Sequence, residues 1–116
     1  MEKKERGKSA EDLAEEYLRG LGYEIVARNY MVSHNEIDII AKDRNYLVFV
    51  EVRSKSSTSF GKPEESMSIG KRKQVRKAAE MYLMQNPYIN LLIRLDFIGV
   101  TYNEGKAEIN HLKNAF

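Results

Sequence analysis

A few acids and a run of cations carry the chemistry that this chain offers. Glu36 and Asp38 stand two residues apart in Glu36-Ile37-Asp38-Ile39-Ile40-Ala41. Glu51 follows in Val48-Phe49-Val50-Glu51-Val52-Arg53-Ser54-Lys55. Both stretches are short, rich in Ile, Val and Phe, and separated by the turn-forming Lys42-Asp43-Arg44-Asn45, so they predict two neighbouring strands. Because side chains alternate across a strand, Glu36 and Asp38 share one face, with Ile37 and Ile39 on the other. Glu51, Arg53 and Lys55 likewise share a face, opposite Val48, Val50 and Val52. An ionised carboxylate among such apolar residues is costly unless it is paired or binds a metal. Asp38 and Glu51 are thus either divalent-metal ligands or members of a structural ion pair with Arg53 and Lys55.

Lys71, Arg72, Lys73, Arg76 and Lys77 follow, with no acid between Met67 and Ala79. Cations clustered on one helix neutralise phosphates and release counterions, which gives sequence-independent affinity for nucleic acid. An ordinary solvated helix face has the same composition. Set beside the acidic strand pair, the basic run suits a divalent metal held against a polyanion, the arrangement that phosphodiester hydrolysis needs for charge stabilisation and an activated water.

The elements that must position these residues follow from periodicity. Ala10, Leu13, Ala14, Tyr17, Leu18 and Leu21 have the spacing of one helical face. Ser9 is the expected N-cap, Asp12 its capping-box partner, and Gly20 and Gly22 the stop signals. Glu11 and Glu15, one turn apart beside the apolar stripe, either reach toward a sheet or lie in solvent. Tyr23 to Tyr30 reads as a first strand, with Ile25 and Ala27 alternating against Glu24, Val26 and Arg28. Ser56 to Pro63 reads as a loop. From Gly70 a helix returns, with Val75, Ala78, Ala79, Tyr82 and Leu83 on one face, closed by Asn86-Pro87. Leu91 to Tyr102 is a further strand, Asn103-Glu104-Gly105 a turn and Ala107 to Leu112 an edge strand. Arg94 and Asp96 share a face and read as an ion pair that fixes strand register. Tyr46, Tyr82, Tyr88 and Phe60 have the chemistry to stack on bases, but aromatics at such positions more often serve core or turn packing, and they are assigned no role. The expected class is α/β, a mixed sheet flanked by helices in the order α-β-β-β-α-β-β.

The 116 residues, 42% of them hydrophobic, fit one domain over 1–116, with residues 1–8 as a disordered tail. With no cysteine there is neither a disulfide framework nor a thiolate zinc site, and His34 and His111 are too few for a histidine-based centre. The charged N-terminus precedes no apolar signal region and no apolar run approaches spanning length, so the expectation is a cytoplasmic protein with no membrane partner. A net charge of +2 is modest, and its distribution matters more than its sum.

These motifs together resemble the PD-(D/E)xK, or restriction-endonuclease-like, nuclease superfamily. More specifically the chain looks like the YraN family of uncharacterised bacterial proteins, which are similar to Holliday junction resolvases of the archaeal type. The resemblance runs through Asn35 to Ala41, Phe49 to Lys55, Phe60 to Pro63, Lys71 to Lys77, Arg94 to Asp96 and Asn114 to Phe116. It implies that Asp38 and Glu51 hold Mg²⁺ or Mn²⁺ together with the backbone carbonyl of Val52. Glu11 would support the metal through water, and Glu36 would be either an outer ligand or an acceptor behind the ligands themselves. Asp38, Glu51, Arg53, Lys55 and Glu11 would form the catalytic set, with DNA on Lys71, Arg72, Lys73, Arg76 and Lys77. A branched substrate would favour a homodimer. Two positions depart from the family pattern. Asn35 replaces a glycine, and Arg53 stands where the motif has lysine, with Lys55 where it has arginine. Lys55 lies on the same face about 6.6 Å further along the strand. The expectation is a metal-dependent endonuclease. The alternatives are a catalytically inactive nucleic-acid-binding module of the same fold and a protein-interaction subunit.

Overall fold

The computed structural model describes residues 9–56, 67–87 and 90–115. The expected tail over residues 1–8, most of the loop with Phe60 and Pro63, Tyr88 and Phe116 lie outside them. The elements run α1 (Ala10–Gly20), β1 (Glu24–Val32), β2 (Asn35–Asp43), β3 (Tyr46–Ser56), α2 (Ile69–Gln85), β4 (Leu92–Asn103) and β5 (Lys106–Leu112). The order is the one the sequence predicts. The strands form a mixed sheet in the order β1-β2-β3-β4-β5. Only β3 and β4 are parallel, and α2 makes the crossover between them.

Local chemistry sets the ends. Ser9 caps α1, its Oγ accepting from the Asp12 N–H at 3.0 Å while Asp12 Oδ2 accepts from the Ser9 N–H at 3.2 Å. Gly22, at φ +96°, takes the left-handed turn that leads off the helix. Ser68 caps α2 in the same way, accepting from the Lys71 N–H at 3.0 Å. The β2–β3 turn narrows to Arg44 and Asn45, Arg44 at φ 57°, so both strands run further into the turn than the sequence suggests.

The two helices cover opposite faces of the sheet. Ala14 and Leu18 of α1 pack on Val48, Val50, Val52, Ile98 and Val100. Val75, Ala78, Ala79 and Tyr82 of α2 pack on Leu47, Phe49 and Leu95. The alternation along β3 is thus the predicted one, and a fully buried side chain such as Phe49 contributes about 1.5–3 kcal/mol.

Alternation fails in β1 and β2. A bulge at Val26 sends Ile25 to the α1 cluster, while Val26 and Ala27 go to the α2 cluster. In β2, Ile39 joins the α1 cluster but Ile37 the α2 cluster, so the two do not share a face. Asn29, at φ 49°, falls between the pairs Arg28↔Ile39 and Tyr30↔Ile37. Among the described residues no helix is long and apolar enough to cross a membrane.

Candidate functional site

The site forms where β2 leaves β3. The two strands pair from Asp43↔Tyr46 to Ile39↔Val50. Beyond that point the Asp38 side chain takes over from the ladder, its Oδ2 accepting from the backbone N–H of Val52 at 2.8 Å. Asp38 is only 8% exposed and Glu51 only 3%. Burial and the neighbouring Glu51 charge push the Asp38 carboxyl up to about 7, against the opposing Val52 N–H bond. Burial raises Glu51 as well, and Lys71, Arg53 and a hydrogen bond with the Asp38 carboxyl pull it back.

The environment of Glu51 is lopsided. Its Oε2 faces Arg53 Nη2 at 3.3 Å and Lys71 Nζ at 3.6 Å. Its Oε1 is buried and meets no hydrogen-bond donor. An anionic oxygen in that position suits a hard cation, which takes oxygen ligands and would share Asp38 across the gap. Among the described residues no group of three or more His, Cys, Asp or Glu side chains could hold a metal. Among the described residues the acid donors at this point are the Asp38–Glu51 pair, so backbone carbonyl and water would complete any coordination there.

The other predicted residues fall at varying distances from the pair. Glu11 does reach the sheet, but to Arg28 Nη2 at 3.4 Å and Asn29 Nδ2 at 2.8 Å. Arg28 also binds Asp12 at 2.8 Å and Glu15 at 3.0 Å, which ties α1 to β1. Glu11 acts on Asp38 through its charge. Glu36 is exposed on β2 opposite Met31. Lys55 is half-buried further along β3, opposite Thr101. The basic helix divides. Arg72, Lys73, Arg76 and Lys77 are exposed, whereas Lys71 turns into the acid pair. The sequence carries that signal, because Lys71 lies one turn before Val75 and two before Ala78 on the buried stripe.

The expected Arg94–Asp96 pair is present, with Arg94 Nε and Nη2 donating to Asp96 Oδ1 and Oδ2 at 2.9 and 3.1 Å. It belongs to a larger buried network that sequence reasoning misses. Arg94 also reaches Asp43 at 3.1 Å and the Tyr23 hydroxyl at 2.6 Å. His111 Nε2 lies 2.7 Å from Asp96 Oδ2, and its Nδ1 lies 3.1 Å from the Tyr17 hydroxyl. Burial opposes charge on Asp96, yet the bonds from His111, Arg94 and the Asn114 N–H hold it below the usual carboxylate range. With both Asp96 oxygens so engaged, this network reads as the clasp joining α1, β4 and β5.

Residues 10–100 match the model of a family described as uncharacterised protein family UPF0102. A UPF0102 protein of Carboxydothermus hydrogenoformans is 42% identical over 98% of this chain and 97% of its own length. One from Persephonella marina is 45% identical over 96% and 92%. One from Clostridioides difficile is 43% identical over the whole of both chains.

Proposed function

The chain belongs to the UPF0102, or YraN, family, and from the geometry of its buried acids we propose that it is a metal-dependent endonuclease of the PD-(D/E)xK type acting on DNA. The observation that carries this reading is the Asp38–Glu51 pair, with Glu51 Oε1 buried and facing no donor. Asp38, Glu51 and the Val52 carbonyl would hold Mg²⁺ or Mn²⁺. The ion would supply charge stabilisation at the scissile phosphate and an activated water.

The protein's own groups prepare that step. The Val52 N–H fixes the Asp38 carboxylate at 2.8 Å, so its orientation is set before substrate arrives. Arg53 and Lys71 place two cations on one side of Glu51, where a phosphate oxygen can meet them. Exposed Arg72, Lys73, Arg76 and Lys77 on α2 bind the flanking backbone phosphates. Two symmetric cuts in a branched substrate require two such sites, so this reading carries a two-fold dimer as its expected assembly.

The test is cleavage of duplex, branched and single-stranded DNA with Mg²⁺ or Mn²⁺, comparing the parent with Asp38→Asn and Glu51→Gln. Both substitutions are expected to abolish product while leaving the fold and salt-sensitive DNA binding in place. Cleavage unaffected by either substitution refutes the site.

A second reading, an inactive nucleic-acid-binding module, is favoured by Arg53 at 3.3 Å from Glu51, since a guanidinium does not release a proton to a water. It predicts binding that weakens steeply with salt, indifferent to divalent ions and without product on any substrate.

A further inference from the structure

The cation on Glu51 that best matches a catalytic lysine comes from the helix and not from the strand. Lys71 Nζ lies 3.6 Å from Glu51 Oε2, and its side chain is 30% exposed. Arg53 approaches the same oxygen at 3.3 Å, but its side chain is 38% exposed and its Nε is buried without a partner. The seat of Lys71 is the firmer one. Its backbone N–H is bonded to the Ser68 cap, and the following residues of its stripe, Val75, Ala78 and Tyr82, are all buried in the core. The first turn of α2 carries no acid, so the positive end of the helix dipole adds to the Lys71 charge. An ammonium is a compact point charge on a flexible stem, able to follow an oxygen as its charge changes.

We propose that Lys71 is the catalytic lysine of this site, reaching from α2 to the place that Glu-x-Lys fills from the strand and contacting the scissile phosphate beside Glu51. This rests on the nuclease reading above. It also separates the basic helix into two roles. Arg72, Lys73, Arg76 and Lys77 hold the strand, and Lys71 acts on the bond that breaks.

The experiment compares the parent with Lys71→Met, Lys71→Arg and Arg76→Met in two assays: Mn²⁺ binding by calorimetry, and cleavage of a DNA substrate resolved into kcat and KM. Lys71→Met is expected to lower kcat by about 100-fold, the scale for losing one group that stabilises transition-state charge, with KM changed less than about 3-fold. The same variant is expected to bind Mn²⁺ several-fold more tightly, because a competing cation has left Glu51. Lys71→Arg, which restores the charge, recovers part of kcat, and Arg76→Met acts on KM. A Lys71→Met protein that cleaves like the parent, or loses only KM, overturns the proposal and leaves the nuclease reading standing. Weakened Mn²⁺ binding in Lys71→Met overturns it too, since Lys71 would then be a prop for Glu51. A parent that binds Mn²⁺ and cleaves no DNA overturns both.

Discussion

Replacing Asp38 by asparagine is expected to stabilise the metal-free protein at alkaline pH. Raising a carboxyl from 3.8 to about 7 corresponds to roughly 4 kcal/mol between its charged and neutral forms. Because the pKa is higher in the folded state, the folded protein binds the extra proton. The contribution is therefore fully present below pH 3.8, and it is lost as pH rises toward 7. About 3 kcal/mol of that loss falls between pH 5 and pH 8, or about 10 °C in Tm for a chain of this size. Asparagine keeps the oxygen that accepts from the Val52 N–H and removes the charge that burial and Glu51 oppose. The assay is urea or thermal unfolding of parent and Asp38→Asn from about pH 5 to pH 8 in chelator, plotted as the difference between the two proteins. The gap between the curves should be smallest at the acid end of that range, closing fully only below pH 3.8, and should widen in favour of the variant toward the alkaline end. Added Mg²⁺ should then raise the parent and leave the variant unchanged. A difference that stays flat across this range, or that favours the parent at its alkaline end, refutes the strained acid pair.

Two further outcomes follow from other parts of the molecule. Asp96→Asn removes the carboxylate shared by Arg94 and His111 in a fully buried position, so chemical denaturation should show a loss of about 3–5 kcal/mol at neutral pH. Since Asp96 is held below its ordinary pKa, that loss should shrink as pH falls through the acid range, and a loss independent of pH would contradict the network. Alanine at both Arg76 and Lys77 should leave the unfolding midpoint near the parent's, because both side chains are exposed. It should also flatten the dependence of log K for duplex DNA on log salt by about 0.9 for each phosphate no longer neutralised, and an unchanged slope would take α2 off the DNA.

Much of this architecture is legible in the sequence because local rules act without competition there. The Ser9–Asp12 box, the apolar face of α2 and the alternation in β3 each follow from the spacing of a few residues. Prediction loses its grip where one backbone irregularity changes the count. The Val26 bulge shifts the faces of β1, and Ile37 and Ile39 fall on different faces of β2 where left-handed Asn29 lies opposite the step between them; strict two-residue alternation cannot anticipate either. Asp38 and Glu51 are identifiable because charge in an apolar strand is conspicuous. Their cation partners are harder to rank. Arg53 is adjacent in sequence, whereas Lys71 meets Glu51 only because the crossover brings the start of α2 over β3. His111 shows the same limit, since its partners Asp96 and Tyr17 come from β4 and α1.

The energetic cost of the acid pair bears on why it is there. If Asp38 and Glu51 served only to hold β2 against β3, two apolar residues of similar size would hold the strands better, because replacing buried ion pairs by packed hydrophobes is often neutral or stabilising by about 1–4 kcal/mol. The Asp96 network is a useful contrast within the same sheet. There a buried carboxylate has its oxygens engaged by Arg94, His111 and the Asn114 N–H, and its charge is held on. At Glu51 one oxygen meets two cations while the other is buried without a partner, and the acid beside it, Asp38, is pushed toward its neutral form, in which it donates to Glu51. The same fold can therefore satisfy a buried acid fully, and at this position it leaves one incomplete. The imbalance costs stability in the isolated chain and, on the nuclease reading, would be relieved by a cation bound between the acids. Ligand-linked stabilisation is thus the property that separates a binding site from a structural ion pair here.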